Sequence, residues 1–199
     1  MNKTLQTAKQ VLRQQILAAR EQVPESERAR MSRSIAARIA EMESYRSAKT
    51  ILAYMNFGAE FESEILVRQA LASGKILLLP KVNVAMRELE LHRVEGADAQ
   101  LAPGAYGIRE PIAERCERLV RLEEIEFILL PGVAFGRDGA RLGYGGGFFD
   151  KLLARMTHRP VLVAGAYSMQ LAASIPMEAN DRRVDWLVTE SETIRCTHD

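Results

Sequence analysis

The sequence is poor in the residues that build several common kinds of active site. It contains only two cysteines, Cys116 and Cys196, and they stand alone rather than in a metal-ligand spacing. Its three histidines are scattered along the chain. Ser168, in the segment GAYSM, lacks the pattern of a nucleophile elbow. These absences argue against zinc chemistry and against a covalent mechanism that uses a serine or cysteine triad.

Charge and hydropathy are also unbiased. Lys and Arg total 27 against 26 Asp and Glu, for a formal net charge of +1, so nothing attracts the whole chain to nucleic acid or to an acidic membrane. No apolar run approaches the roughly 20 residues that cross a bilayer. The first ten residues, MNKTLQTAKQ, have no apolar signal-peptide core. We therefore expect a cytoplasmic protein with no nucleic-acid or membrane partner.

The spacing of apolar residues predicts an α/β fold. Helical periodicity covers residues 3–22 and 25–42, and Pro24 with Ser26 suits a helix start. After that, short apolar runs at 51–55 and 75–80 enclose a helical segment at 62–72. Strand, helix and strand with short connections form a βαβ unit, which favours a parallel sheet.

The same pattern continues to the end of the chain. ELELHRV (88–94) alternates leucines with charged residues and is predicted to be a more exposed or edge strand. Further strands are predicted at 126–131, 161–166 and 184–190, with a short helix at 148–156. No linker or repeat divides these elements, and 199 residues suffice for one well-buried core. We predict a single α/β domain over 1–199.

The chain is rich in glycine at one place, PGVAFGRDGARLGYGGGFFD (131–150), where five glycines fall between Gly139 and Gly147. Glycines this dense indicate a backbone that approaches a ligand closely. The segment lies between a predicted strand and a predicted helix, where bare N–H groups bind phosphate. It is not a Walker A loop, because no Gly-Lys-Ser/Thr closes it, and Phe148 replaces the third glycine of the dinucleotide fingerprint. A long structural loop with tight turns is the alternative.

Charged residues in and far from this segment suit the same ligand. Arg141 offers a fixed, always-charged fork for phosphate, although a solvated loop arginine would look the same. Asp150 falls in the first turn of the next helix, where the helix dipole favours a carboxylate and where a phosphate-bound Mg²⁺ is also within reach. Lys9 and Arg13 lie four residues apart and share one helix face, either as solvated surface or as a clamp on polyphosphate.

Two loop residues are candidates for a second ligand. Glu60 follows the first predicted strand in MNFGAEFES (55–63), and open α/β sheets bind ligands at the carboxyl ends of their strands. A loop glutamate is commonly only solvated. Tyr106, within PGAYGIREP (103–111), is placed either to stack on a planar ligand or to pack its own turn.

Taken together, these motifs resemble the 5-formyltetrahydrofolate cyclo-ligase family, also called 5,10-methenyltetrahydrofolate synthetase. The match is collinear over nearly the whole chain, and its densest part is the glycine segment. It comprises KQVLR (9–13), Tyr54 to Glu60, ILLLPKV (76–82), GAYGIREP (104–111), residues 129–153 and ANDRRVDWLVTE (179–190).

The resemblance implies a three-layer α/β/α domain with a largely parallel central sheet, resembling the sugar-phosphate isomerase and CoA-transferase fold. It implies conversion of ATP and 5-formyltetrahydrofolate, with or without a polyglutamate tail, into 5,10-methenyltetrahydrofolate, ADP and phosphate, with Mg²⁺. The family reaction phosphorylates the formyl oxygen, N10 of the same folate then attacks, and phosphate departs. That chemistry needs no protein nucleophile. We expect a cytoplasmic monomer.

The resemblance also assigns residues. It makes Arg141, Lys9 and Glu60 catalytic, and Asp150 and Asp181 the metal ligands. The ATP side comprises Lys9, Arg13, Arg141, Leu142, Gly143, Tyr144, Gly145, Gly146, Gly147, Phe148 and Phe149. The folate side comprises Met55, Phe57, Glu60, Tyr106 and Phe148.

The chain departs from the family pattern within the glycine segment. Gly136 stands where most members have Asp. The sequence leaves two possibilities for Asp138, two residues on: that it replaces this carboxylate, or that it does not. Phe148 and Phe149 replace a common Tyr-Tyr pair. These changes motivate a first alternative, a folate- or nucleotide-binding protein without turnover. A second alternative, a phosphosugar isomerase or acyl-CoA transferase of the same fold, needs a catalytic carboxylate of which the sequence gives no independent sign.

Overall fold

A computed structural model describes residues 3–119, 121–178 and 181–197. His198 lies outside these ranges, as do Ala179 and Asn180 at the start of the tail motif. Within them, no helix is both long and apolar enough to cross a membrane.

Helices occupy most of the first half of the described chain. The α-helices are α1 (Lys3–Glu21), α2 (Glu25–Glu41), α3 (Glu43–Ser47), α4 (Glu64–Ala72), α5 (Ala97–Gln100) and α6 (Phe148–Ala154). Four short 3-10 turns lie at Ala105–Gly107, Ala113–Arg115, Leu122–Glu124 and Ser168–Gln170. The helices predicted at 3–22, 25–42, 62–72 and 148–156 are confirmed. The short α3 was not predicted, because five residues show no periodicity.

Twelve strands are formed by the described residues. They are β1 (Thr50–Leu52), β2 (Ile76–Asn83), β3 (Glu88–Val94), β4 (Leu101–Pro103), β5 (Arg109–Pro111), β6 (Glu117–Arg118), β7 (Phe127–Leu129), β8 (Ala134–Phe135), β9 (Arg141–Leu142), β10 (Val161–Gly165), β11 (Trp186–Val188) and β12 (Thr193–Arg195). Two pairs, β4 with β5 and β8 with β9, stand apart from the main sheet.

The main sheet has eight strands in the order β12-β11-β10-β7-β1-β2-β3-β6. Its five middle strands, from β11 to β2, are parallel. Antiparallel strands flank them on both sides. The predicted edge strand, β3, is the last long strand on its side. The two-residue β6 pairs with it at His92 and Arg93, so β6 forms the edge instead.

Alternate residues of the parallel strands point to opposite faces and therefore build two cores. One core lies under α2, α3 and α4 and includes Ile51, Leu77, Phe127, Leu129 and Val163. The other lies under α6 and includes Leu52, Leu78, Ile128, Leu130 and Ala164. Helices on both faces of a largely parallel sheet confirm the predicted three-layer α/β/α fold class.

The topology also fixes where a ligand can bind. From β1 the chain passes through α4 to β2 on one side, whereas β7, the other neighbour of β1, leads to β10 and β11. The strand order therefore reverses between β1 and β7. In open α/β sheets such a reversal opens a crevice at the carboxyl ends of the strands.

Replacement of Gly165 by Ala tests how tightly α2 packs on the sheet. A Cβ at this position would lie 2.8 Å from the Phe61 ring and 3.0 Å from Cγ2 of Ile35, and both side chains are buried. Overpacking of this kind costs about 1–3 kcal/mol, so Gly165→Ala should lower the free energy of unfolding by that amount in urea. Gly96→Ala is the control, because a Cβ there meets nothing within 4 Å. Equal stability of the two variants would contradict this packing.

Candidate active site

A cleft of about 600 Å³ opens at the carboxyl ends of β1, β2 and β7, a size typical of small-molecule sites. Every residue that the resemblance assigned to the site lines it. These are Lys9, Arg13, Met55, Phe57, Glu60, Tyr106, Arg141, Leu142, Gly143, Tyr144, Gly145, Gly146, Gly147, Phe148, Phe149, Asp150 and Asp181. Sequence reasoning missed other lining residues, including Gln6, Tyr54, Arg109, Glu110 and Glu178.

The inward face of α1 carries three cations among half-buried apolar residues such as Leu12 and Ile16. Among residues 4–21, only Lys9 and Arg20 are buried, and Arg13 between them is half-buried. Spacings of four and seven residues place all three on one helix face. Lys9 is therefore not solvated surface. Nothing in the sequence indicated that Arg20 is buried, because an arginine at the end of a helix is usually exposed.

Lys9 is paired with two carboxylates, Asp181 of the motif at 179–190 (the tail motif) and Glu178 just before it. Its Nζ lies 2.7 Å from Oδ2 of Asp181 and 3.3 Å from Oε2 of Glu178. Gln6 donates from Nε2 to Oε1 of Glu178 at 2.9 Å. The two carboxylates compensate the buried ammonium, as a buried charge requires.

Arg13 joins α1 to the glycine segment. Its Nε donates to the carbonyl oxygen of Gly143 at 2.9 Å. A Cβ at Gly145 would lie 3.7 Å from this guanidinium, and Gly145 has a φ of 99°, which an L side chain rarely adopts. Burial lowers the pKa of Arg13. The backbone conformation, rather than the space beside Arg13, is therefore what favours glycine at position 145.

Arg141 is buried at the start of β9 and is not a solvated loop residue. It is 6 % exposed. Nη1 donates to the carbonyl oxygen of Pro131 at 3.1 Å, and Nη2 donates to Oδ1 of Asp150 at 2.6 Å. Its Nε has no hydrogen-bond partner among the described residues. These contacts fix the guanidinium at the wall of the cleft.

Glu60 is buried in the loop that follows β1, with 4 % of its surface exposed. Oε2 accepts a hydrogen bond from the backbone N–H of Phe57 at 3.0 Å, and Oε1 accepts one from the Tyr144 hydroxyl at 2.5 Å. Burial raises the pKa of Glu60, and these two hydrogen bonds and Arg20 oppose that rise. The sequence could not distinguish this arrangement from a solvated loop glutamate.

Tyr144 lies between the two halves of the cleft. Its hydroxyl accepts a hydrogen bond from Nη2 of Arg20 at 2.9 Å and donates to Glu60. Its ring lies 5.1 Å from that of Phe57, centroid to centroid. The resemblance assigned Tyr144 to the ATP side, whereas its hydroxyl contacts the group assigned to folate.

Tyr106 lines the cleft from the turn between β4 and β5. It is 70 % exposed and has a φ of 58°, which is uncommon for a non-glycine residue. Its ring is therefore not used to pack the turn. That leaves an aromatic face for a ligand.

Asp150 and Asp181 line the cleft, and each binds a cation, Arg141 and Lys9 respectively. Within the described ranges, no three side chains of the metal-ligating types group together. Mg²⁺ usually takes only one or two carboxylates and completes its shell with phosphate oxygens and water. The donor set therefore fits a Mg²⁺ ion that arrives with ATP, and not an all-protein metal cage.

Asp138 does not replace the carboxylate missing at position 136. It pairs with Arg183, and its Oδ1 accepts a hydrogen bond from the Ala140 N–H at 3.2 Å. Its carboxylate occupies the space that a Cβ at Gly136 would need, and Asp138 is not among the residues that line the cleft. Phe148 and Phe149, in contrast, both line it.

The chain was compared with known proteins. A model of the 5-formyltetrahydrofolate cyclo-ligase family matches residues 5–190. The chain belongs to this family. The 5-formyltetrahydrofolate cyclo-ligase of Mus musculus is 26% identical, covering 94% of this chain and 96% of the relative. The mitochondrial 5-formyltetrahydrofolate cyclo-ligase of Arabidopsis thaliana is 31% identical, covering 95% and 76%.

Solved structures agree with the cyclo-ligase assignment. The NMR structure of Aquifex aeolicus 5,10-methenyltetrahydrofolate synthetase has a TM-score of 0.83 and 36% identity, covering 96% of this chain and 94% of that one. A 5,10-methenyltetrahydrofolate synthetase from Mycoplasma pneumoniae has a TM-score of 0.71 at 22% identity, a likeness of fold. The resemblance predicted from the sequence is confirmed, and with it the enzyme class.

The raised pKa of Glu60 predicts a pH-dependent stability. Burial favours the protonated carboxyl in the folded protein, so the contribution of Glu60 to stability is greatest below the ordinary pKa and is lost as pH rises through the folded pKa. Relative to wild type, Glu60→Gln should therefore gain stability as the pH is raised from the ordinary carboxyl value of 4.5 toward neutral. Urea unfolding across that range measures the difference. A difference that stays constant, or that falls with pH, would contradict the burial argument.

Proposed function

We propose that this cleft converts ATP and 5-formyltetrahydrofolate into 5,10-methenyltetrahydrofolate, ADP and phosphate. The proposal rests on one observation: in a member of the cyclo-ligase family, a single cleft is lined by a cationic set of residues and by a second set that is aromatic and acidic. Lys9, Arg13 and Arg141 form a cationic wall beside the glycine segment. Glu60 and the aromatic rings form the other wall.

ATP binds on the cationic wall. Arg141 is held by Pro131 and Asp150 before any ligand arrives, so it stabilises developing phosphate charge without reorganising. Arg13 and the backbone N–H groups of Gly143–Gly147 bind the phosphates. Lys9 contacts them by exchanging part of its interaction with Glu178 and Asp181 for phosphate oxygens. Leu142, Phe148 and Phe149 complete the ATP side.

Asp150 and Asp181 are the residues that would hold a Mg²⁺ ion arriving with the phosphates. The ion would supply positive charge that adds to that of Lys9, Arg13 and Arg141 in neutralising the phosphate oxygens. Oδ1 of Asp150 accepts the hydrogen bond from Arg141. Oδ2 has no hydrogen-bond partner among the described residues and is the oxygen that a metal ion would contact. The ion pairs of both aspartates keep them in place for the metal.

The folate lies on the aromatic wall. Glu60 accepts hydrogen bonds from N–H groups of the pteridine, a planar donor pattern that suits a carboxylate. Met55, Phe57, Tyr106 and Phe148 enclose the ring system, and such rings prefer offset or edge contacts. The formyl group then points toward the γ-phosphate.

The chemistry consists of two displacements. The formyl oxygen attacks the γ-phosphorus, ADP leaves, and the oxygen becomes part of a phosphate leaving group. N10 then attacks the formyl carbon and loses its proton to the departing phosphate or to solvent, the C–O bond breaks, and phosphate leaves with the oxygen. The residues contribute positioning and charge stabilisation. The absence of a triad in the sequence agrees with a route that needs no protein nucleophile.

Three further expectations go with this proposal. We propose that the protein is cytoplasmic, that it acts as a monomer, and that it accepts folate with or without a polyglutamate tail. A binding protein without turnover is the alternative that Gly136 and the Phe148-Phe149 pair motivate.

One assay separates the enzyme from the binding protein. Protein is mixed with Mg-ATP and 5-formyltetrahydrofolate, and the near-ultraviolet absorbance of the methenyl product is followed. The enzyme gives a rise that requires ATP. Binding of both ligands without any ATP-dependent rise would favour the binding protein.

Arg141→Ala tests the transition-state contact. Loss of a preorganised donor to developing charge costs about 10²–10³ in turnover, whereas folate binding should change little because Arg141 lies on the ATP side. Arg137→Ala is the matched control, since Arg137 lies on the same hairpin but pairs with Glu192 outside the cleft. Near-normal turnover in Arg141→Ala would remove Arg141 from the reaction.

Glu60→Gln tests the folate anchor. The amide keeps the shape but loses the charge and one acceptor, so the apparent KM for 5-formyltetrahydrofolate should rise about tenfold or more. The KM for ATP should stay the same. Glu62→Gln, two residues away and outside the cleft, should match wild type. Unchanged folate kinetics in Glu60→Gln would exclude Glu60 from the site.

A further inference from the structure

Arg20 is a buried cation that the proposed reaction does not use. It lies near the end of α1, is 3 % exposed, and does not line the cleft. Within the described ranges, no carboxylate oxygen lies within 4 Å of its guanidinium nitrogens, and Nε has no hydrogen-bond partner. A buried guanidinium is costly unless a nearby negative charge compensates it. Something close to Arg20 must therefore supply that charge.

The compensating charge is reached through one hydroxyl group. Nη2 of Arg20 donates to the Tyr144 hydroxyl at 2.9 Å, and that hydroxyl donates to Oε1 of Glu60 at 2.5 Å. The guanidinium also lies 5.9 Å from the centroid of the Tyr144 ring. The three side chains come from α1, the glycine segment and the loop after β1. They form a single chain of hydrogen bonds that runs from the buried Arg20 through the half-buried Tyr144 to the buried Glu60.

We propose that Arg20 is a positioning residue that acts through the Tyr144 hydroxyl to fix the direction of the Glu60 carboxylate and to favour its charged form over the protonated one. The inference rests on the proposed function, because it concerns the group that would hold the folate. Arg20 itself touches no substrate.

The other groups around Glu60 cannot do this. Tyr54 and Tyr167 face the same region, and burial raises the pKa of both phenols, so they stay neutral. The Tyr167 hydroxyl donates to the backbone oxygen of Glu60 rather than to the carboxylate. Phe57 contributes one backbone N–H. Arg20 is the one cation among these neighbours, and it opposes the rise that burial imposes on the pKa of Glu60.

The hydroxyl bridge has a consequence that a direct ion pair would lack. An arginine fork commonly occupies both oxygens of a carboxylate. Here the Tyr144 hydroxyl takes one position on Oε1, and the Phe57 N–H takes one on Oε2. Each carboxylate oxygen can accept a further hydrogen bond, so Glu60 stays charged and still able to bind donors of a ligand.

The test measures folate kinetics against pH in Arg20→Met, Arg20→Lys and Tyr144→Phe. Without the guanidinium, Glu60 should hold its proton to higher pH, and one pKa unit corresponds to about a tenfold change. In Arg20→Met the KM for 5-formyltetrahydrofolate should rise about tenfold near pH 6.5 and less near pH 8.5, with the KM for ATP unchanged. Arg20→Lys should recover part of the loss. Tyr144→Phe should shift the profile in the same direction while leaving both charges in place.

A matched control and a double variant separate this role from simple loss of stability. Arg28→Met removes a half-buried guanidinium whose one hydrogen bond among the described residues is to the Val23 carbonyl oxygen, and its pH profile should match wild type. Arg20→Met combined with Tyr144→Phe should be no worse than the poorer single variant, because both break the same chain. Additive losses, or a folate profile in Arg20→Met that does not depend on pH, would overturn the inference.

Carboxyl-carbon NMR decides the point without turnover. The Glu60 signal, assigned by its loss in Glu60→Gln, should titrate at higher pH in Arg20→Met and in Tyr144→Phe than in wild type. An unchanged titration in both variants would overturn the inference even if the assay gave turnover. If wild type gave no ATP-dependent product but the titration shifted, the proposed function would fail while the coupling of Arg20 to Glu60 stood.

Discussion

The site depends on the way α1 docks its cationic face onto the rest of the chain. Lys9 pairs with Asp181 and Glu178, Arg13 with the Gly143 carbonyl oxygen, and Arg20 with the Tyr144 hydroxyl. An apolar helix face would pack against the core without forming hydrogen bonds or ion pairs. Buried cations must instead find partners, so each turn of α1 fixes a different part of the cleft. One helix thereby sets the tail motif, the glycine segment and, through Tyr144, the carboxylate of Glu60.

In the proposed function, this arrangement divides the cleft between ATP and folate. The cations and the glycine segment form one wall, Glu60 and the aromatic rings form the other, and Tyr144 joins them. Phosphoryl transfer asks a protein mainly for positioning and for charge stabilisation. A cleft with fixed guanidinium groups and no nucleophile triad is suited to that task. The replacement of the family's Asp by Gly136 does not affect this arrangement, because the neighbouring Asp138 pairs with Arg183 and does not line the cleft.

Much of this could be predicted from the sequence, because it depends on local patterns. Apolar runs and helical periodicity located the parallel strands and the long helices, and the dense glycines located a segment that lines the cleft. Arg20, Glu178 and the bond from Tyr144 to Glu60 could not be predicted in the same way. They depend on contacts between residues far apart in the chain, such as the 172 positions that separate Lys9 from Asp181. The burial of Lys9 is likewise decided by tertiary packing, since its helix position alone is equally typical of solvated surface.

The central claim is that ATP and folate react directly in this cleft through phosphorylation of the formyl oxygen. An isotope experiment tests it. 5-Formyltetrahydrofolate labelled with ¹⁸O at the formyl oxygen is converted in ordinary water with Mg-ATP, and the released phosphate is analysed by mass spectrometry. The account predicts one ¹⁸O atom in each phosphate, because the formyl oxygen leaves with the phosphoryl group. Unlabelled phosphate alongside full formation of the methenyl product would contradict it.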